Sequence, residues 1–172
     1  MAIQYVNLKA IKPVHSFIKD LYESTFPIQE RREWTSLLSL LNHPAMQLDL
    51  ICEEELPIGF IIWWKINDWL FIEHFAISPH IRGGGYGSTV MCYYMEKANG
   101  KIFLEVEPPF TIDAERRIAF YEKLGLSLLD VSYQQPSYVE KDVYYPMLLM
   151  GTTGKKDFTA LVAALKEQVY CC

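Results

Sequence analysis

The 172-residue chain is long enough for one domain with a buried core, and 51% apolar with 22% charged residues is the balance of a globular protein. A formal charge of −5 excludes a general attraction to nucleic acid or to an anionic membrane surface, so an anionic ligand would have to be held by local groups. The longest apolar run, LPIGFIIWW, is too short to span a bilayer and reads as a buried strand.

The opening MAIQYVNLKAIKPVHSF lacks a basic segment followed by an apolar run and a small-residue cleavage site, which makes the cytoplasm the expected location. Within it IQYVNL predicts a first strand. Between Pro13 and Tyr22, the residues Val14, Phe17, Ile18 and Leu21 recur at helical spacing. After Pro27 a second helix is predicted from about Gln29 to Leu41, ended by NHP. MQLDLICEEELPIGFIIWWKI reads as a hairpin around a charged turn, and LFIEHFAIS as the next strand. A glycine-rich loop follows, then a helix to about Ala98 that Gly100 stops. IFLEVE is a strand, and DAERRIAFYEKLG a helix capped by Asp113 and ended at Gly125. LSLLDVSY and VYYPMLLM predict two further strands. KKDFTALVAALKEQV places Phe158, Leu161, Val162, Leu165 and Val169 on one face of a closing helix.

No internal repeat or linker interrupts the chain, so a single domain over residues 1–172 is expected. The strand–helix–strand step from Phe71 to Val106 requires a right-handed parallel crossover, which makes the whole a mixed α/β sheet with helices on its faces. Cys52, Cys92, Cys171 and Cys172 lack the paired spacing of a zinc site, and no metal is expected. Cys52 and Cys92 read as small core residues. The terminal pair reads as a reduced chain end, since no polybasic segment precedes it as prenylation would favour.

The stretch AISPHIRGGGYGSTVMCYYMEKA carries Gly83, Gly84, Gly85 and Gly87 between a strand and a helix, with Arg82 in front. First-turn amides of a helix lack partners, and glycines let several amides converge on a negative charge. Ser88 and Thr89 add hydroxyls, and Arg82 a cation suited to phosphate. A P-loop would need a lysine after its last glycine, where this chain has Ser88. A dinucleotide fingerprint counted from Gly83 and Gly85 would need a glycine at Ser88. What remains is Arg-x-x-Gly-x-Gly, on Arg82, Gly85 and Gly87.

Placed after a strand ending FAISP, this pattern resembles the acetyl-CoA-binding motif of the GNAT superfamily of N-acetyltransferases. The resemblance covers about Leu56 to Gly125, and RIAFYEKLGL is similar to the helix and turn that carry a tyrosine in that family. The resemblance implies a mainly antiparallel sheet with one central parallel step. It implies acetyl-CoA as co-substrate, its diphosphate on the amides of Gly83, Gly84, Gly85, Tyr86, Gly87 and Ser88, with Arg82 near the charge. The pantetheine arm would run along the backbone of Phe75 and Ile77, as an added strand would.

Acyl transfer to an amine needs a proton acceptor, a donor for the carbonyl oxygen and a means for the thiolate to leave. The resemblance makes Glu73, four residues before Ile77, the first candidate base. The alternative is a buried glutamate satisfied by a neighbouring arginine or amide. His74 ranks second as a base, behind its reading as a hydrogen-bonded core histidine. An amide near Phe75 would meet the oxyanion, and Tyr121 matches the family tyrosine that protonates the leaving thiolate. Relatives carry Asn and Ala seven and four residues before that tyrosine, where this chain has Ala114 and Arg117.

STFPIQERREW resembles a stretch seen in one branch of the family. Glu30, Glu33, Asp68 and Tyr138 are candidates to attract a cationic amine, and Trp63, Trp64, Trp69 and Phe71 to wall a pocket, although solvated or core roles account for each. The expected activity is acetyl transfer to a primary amine of a small molecule or peptide. A non-catalytic acyl-CoA-binding module and a different nucleotide-phosphate binder are the alternatives. The oligomeric state, a homodimer included, is left open.

Overall fold

In the computed structural model, which describes residues 2–9, 15–81, 83–130, 132–152 and 158–171, the first strand β1 (Ile3–Asn7) lies antiparallel to β2 (Met46–Glu53). β2 pairs in turn with β3 (Leu56–Ile66). Glu54 and Glu55 close the β2–β3 hairpin with positive φ of 48° and 71°, the two-residue geometry that follows the twist of the strands. β4 (Trp69–Ile77) follows β3 after two residues, which only an antiparallel pairing allows. β5 (Ile102–Val106) lies beside β4 and is reached through a helix, so these two are the sheet's parallel pair.

Seven strands form one sheet in the order β1-β2-β3-β4-β5-β9-β6, with β6 at Ser127–Asp130 and β9 at Leu148–Gly151. β7 (Gln134–Pro136) and β8 (Tyr144–Pro146) pair as a separate two-stranded sheet. The helices are α1 (His15–Thr25), α2 (Trp34–Ser39), α3 (Tyr86–Lys97), α4 (Ile112–Lys123) and α5 (Thr159–Leu165). Among the described residues no helix is long and apolar enough to cross a membrane.

The chain divides into two compact units, Met1–Trp64 with Ile72–Val90 and Lys65–Phe71 with Met91–Cys172. The first is built on Tyr22, Phe60 and Trp64, none with exposed surface, and the Tyr22 ring meets Phe60 edge-on at 6.0 Å. The second packs Phe71 against Phe103 at 5.0 Å, with Trp69 edge-on to Phe103 and to Phe158. Burying side chains of this size contributes about 1.5–3 kcal/mol each.

Several local expectations give way to tertiary structure. The helix predicted over Gln29–Leu41 is broken: a 3-10 turn at Ile28–Glu30 is followed by extended backbone at Arg31 (φ −141°, ψ 156°) before α2 begins at Trp34. Arg32 is drawn inward there, its amide donating to the Tyr22 hydroxyl at 2.9 Å. Thr111, not Asp113, caps α4; its hydroxyl oxygen accepts from the Ala114 amide at 3.1 Å, which leaves Asp113 within the first turn. VYYPMLLM is two strands that serve different sheets: β8 ends at Pro146, the Met147 amide donates to the Tyr133 carbonyl at 3.1 Å in continuation of the β7–β8 pairing, and β9 begins at Leu148.

Cys92 is exposed, because Val90, Met91 and Tyr94 form the buried stripe of α3 and Cys92 falls on the other side. Cys52 is buried as expected. The closing helix is α5 followed by a π-helical turn, Lys166–Tyr170, with Leu161, Leu165 and Val169 buried. Its predicted start at Lys155–Asp157 lies outside the described residues.

Candidate functional site

The end of β4 is held unusually close to β3. A Cβ on Gly59 would lie 2.4 Å from the Ala76 carbonyl oxygen and 2.8 Å from the Ile77 side chain, so only glycine allows that approach. The Ser78 amide donates to the Ile58 carbonyl at 2.8 Å, which directs the main-chain groups of residue 78 toward β3. Strand alternation then turns those of Phe75 and Ile77 the other way. Gly59 is a positioning residue that pattern reading missed, since a glycine inside an apolar strand signals close backbone approach only when its neighbour is known.

Glu73 interrupts this strand. Its carboxylate has 0% exposed side-chain surface, while the residue as a whole is half-buried, so the exposed part is its main chain. Arg32 Nε donates to Oε1 at 3.1 Å and the Trp64 indole donates to Oε2 at 2.7 Å. The Arg32 side chain is itself only 8% exposed, and its guanidinium stands 5.9 Å from the Trp64 ring centre. Such a pair is tolerated in a dry interior because each charge answers the other and hydrogen bonds complete it. The phenol of Tyr22 is pushed up by burial and by the nearby Glu73 charge, so it stays protonated.

His74, on the opposite face of β4, is buried between Tyr22 and Phe26, its ring edge-on to both at 5.0 and 4.5 Å. Its Nε2 lies 2.9 Å from the Glu30 carbonyl, which assigns the proton to that nitrogen. Burial is the largest influence and holds the imidazole below its ordinary pKa, as expected of a neutral core histidine.

The glycine loop follows a 3-10 turn at Pro79–Ile81. Gly83 and Gly85 have φ of +91° and +78°, and a Cβ built on either meets nothing within 4 Å. Backbone strain, not crowding, is what demands glycine at these two positions. Gly83, Gly84 and Gly85 are exposed. The Thr89 amide donates to Gly85 O at 3.1 Å, and among the described residues no carbonyl stands behind the amides of Gly87 and Ser88, as expected of a helix's first turn.

An exposed run of glycines ending in such amides suits a diphosphate in charge. Arg82 lies outside the described residues. Tyr86 donates its hydroxyl hydrogen to Glu53 Oε2, and that bond, before burial or the charges of Glu53 and Glu54, raises its pKa.

Tyr121 belongs to the second unit. It is buried on α4 with Ala114 and Ile118, and its hydroxyl makes no hydrogen bond to another described residue. Burial pushes its pKa up to about 12, with the Arg117 charge opposing. Arg117 is ion-paired with Glu107, and Arg116 reaches Asp113 at 3.5 Å on an exposed surface.

Of the acceptor-side candidates, Asp68 is ion-paired with Lys101, and the Tyr138 hydroxyl donates to that of Tyr170 at 3.4 Å. Trp63 donates to Asp49 at 2.8 Å. Trp64 and Phe71 have no exposed surface and Trp69 very little, which makes these three core residues of their units.

A sequence profile described as the acetyltransferase (GNAT) family matches residues 12–126. A solved structure from Bacteroides thetaiotaomicron assigned to that family is 32% identical, with a TM-score of 0.86 over 100% of this chain and 99% of its own. A GNAT family acetyltransferase from Elizabethkingia anophelis with acetyl-CoA bound is 14% identical, with a TM-score of 0.60 over 88% of this chain and 98% of that one. Naa50 of Arabidopsis thaliana, in complex with the bisubstrate analogue CoA-Ac-MVNAL, is 16% identical, with a TM-score of 0.60 over 88% of this chain and 99% of its own. The last two, at such identities, bear on the fold alone. No curated protein matches the chain. The profile spans well over half of the sequence, the Bacteroides structure matches along its whole length, and the chain belongs to the GNAT family of acetyltransferases.

Proposed function

We propose that the chain transfers the acetyl group of acetyl-CoA to a primary amine of a small molecule or peptide, by direct attack of the amine on the thioester. The observation that carries this reading is the exposed glycine loop at the end of β4, where, among the described residues, no carbonyl stands behind the amides of Gly87 and Ser88. The diphosphate would lie on the amides from Gly83 to Ser88, including Gly84, Gly85, Tyr86 and Gly87, with Arg82 supplying a counter-charge. Main-chain groups of Phe75 and Ile77 would hold the pantetheine arm. A peptide amine is one acceptor class within the proposal, in line with the peptide-bearing analogue bound by Naa50.

Glu73 is the proton acceptor in this reading. Its carboxylate has no exposed surface, so the amine's proton would reach it through a water and not by direct contact. Tyr121 keeps its proton at neutral pH because burial holds its pKa near 12. A free thiol has a pKa of about 8.5, so this phenol would steady the leaving sulfur as a hydrogen-bond donor without surrendering its proton in full.

The covered carboxylate also favours a second reading, a non-catalytic module that holds acyl-CoA, because an ion-paired and doubly hydrogen-bonded glutamate serves structure equally well. Thiol release from acetyl-CoA, followed over a panel of polyamines, amino acids, aminoglycosides and peptide amines, separates the two. Saturable release with one amine class is expected. Flat release over the whole panel, with coenzyme A still bound, would overturn catalysis and leave the module. Binding of ATP in preference to coenzyme A would overturn both.

A further inference from the structure

We propose that Tyr86 and Glu53 form a latch that positions the glycine loop for coenzyme A. The inference rests on reading that loop as the diphosphate site. Gly83 and Gly85 stand in open space with left-handed backbones, a conformation that glycine adopts readily but does not hold by itself. Apart from the contacts of Thr89 within its own helix, one side chain among the described residues steadies the loop. The Tyr86 ring lies over Gly84, where an added Cβ would meet ring carbons at 2.8 and 3.1 Å.

The ring is in turn anchored by its hydroxyl, which donates to Glu53 Oε2. Glu53 is a firm post: it ends β2 in register with Ile3 on one side and Leu56 on the other. The chain thus ties a three-glycine loop to the central hairpin across 33 residues of sequence. A loop ordered beforehand gives up less entropy when a ligand arrives.

The test is equilibrium binding of coenzyme A by the full chain, with the split between KM for acetyl-CoA and kcat as a second readout and thermal unfolding as the check on folding. Tyr86→Phe, which keeps the ring, and Glu53→Ala should each raise Kd and KM about fivefold, the weight of one modest hydrogen bond, with the loss in KM and not in kcat. The double variant should be no worse than either single one, because both remove the same contact. Glu53→Gln retains an acceptor and should recover most of the loss seen with Glu53→Ala.

An unchanged Kd in Tyr86→Phe, losses that multiply in the double variant, or a Glu53→Gln chain as weak as Glu53→Ala would each overturn the latch. Failure of the unaltered chain to bind coenzyme A would instead refute the loop reading beneath it.

Discussion

Replacing Arg32 by methionine removes one charge of the buried pair and leaves the other in place. The N–O distance of 3.1 Å puts the charge centres about 4 Å apart, where an effective dielectric of about 20 gives an attraction of about 4 kcal/mol. Glu73 has 0% side-chain exposure, so water cannot take over the lost partner, while the Trp64 indole still donates to Oε2. Breaking such a pair from one side costs about 3–5 kcal/mol.

Glu73→Gln removes the other charge and should cost about 1–3 kcal/mol, because the amide keeps an acceptor but takes the Glu73 charge away from a buried guanidinium. Urea unfolding at neutral pH of the unaltered chain, both single variants and Arg32→Met/Glu73→Gln completes a double-mutant cycle. The double variant should be more stable than the two losses added together predict, with a coupling of at least about 2 kcal/mol. Additivity within about 0.5 kcal/mol would show that the pair is not formed in solution, and the broken helix at Arg31 would then lose its physical cause.

Gly59→Ala should destabilise by about 1–3 kcal/mol in thermal unfolding and weaken coenzyme A binding, since a Cβ 2.4 Å from the Ala76 oxygen must push β4 away. Gly85→Ala, with open space but a φ of +78°, should cost only about 1–2 kcal/mol, measured in the same way. Thr111→Ala should lower stability by about 1 kcal/mol and Asp113→Ala by a few tenths, reversing the order that a cap at Asp113 would give. Tyr121 has a folded pKa near 12 against an unfolded value near 10, so the stability it contributes is full below about pH 10 and lost as pH rises toward 12. Urea unfolding across that interval should therefore fall less steeply in Tyr121→Phe, and an identical slope would contradict the burial of this phenol.

What the sequence made legible was whatever depends on neighbours in the chain. The β2–β3 hairpin, the strand at Phe71 and the glycine loop announce themselves through short apolar runs, turn residues and glycines, and the loop's anion logic follows from helix ends alone. What stayed hidden depends on partners far along the chain. Arg32 breaks a predicted helix to meet Glu73, 41 residues away, and no periodicity in the first helices signals that. The same distance hides the Tyr86–Glu53 contact and the close approach of Gly59 to Ala76. Thr111 and Asp113 are both acceptable caps by residue type, and only the turn taken after Pro109 decides between them. Glu73 was legible as an odd charge in an apolar strand, but the Arg32 and Trp64 donors that hold its carboxylate were not.

Calorimetric titration of the unaltered chain with coenzyme A, with ATP as the comparison, bears most directly on the loop. The glycine-loop account predicts a single saturable site for coenzyme A that Gly85→Ala weakens and that ATP does not fill at matched concentration. No heat of binding with coenzyme A up to millimolar concentration, or equal binding of ATP, would contradict it.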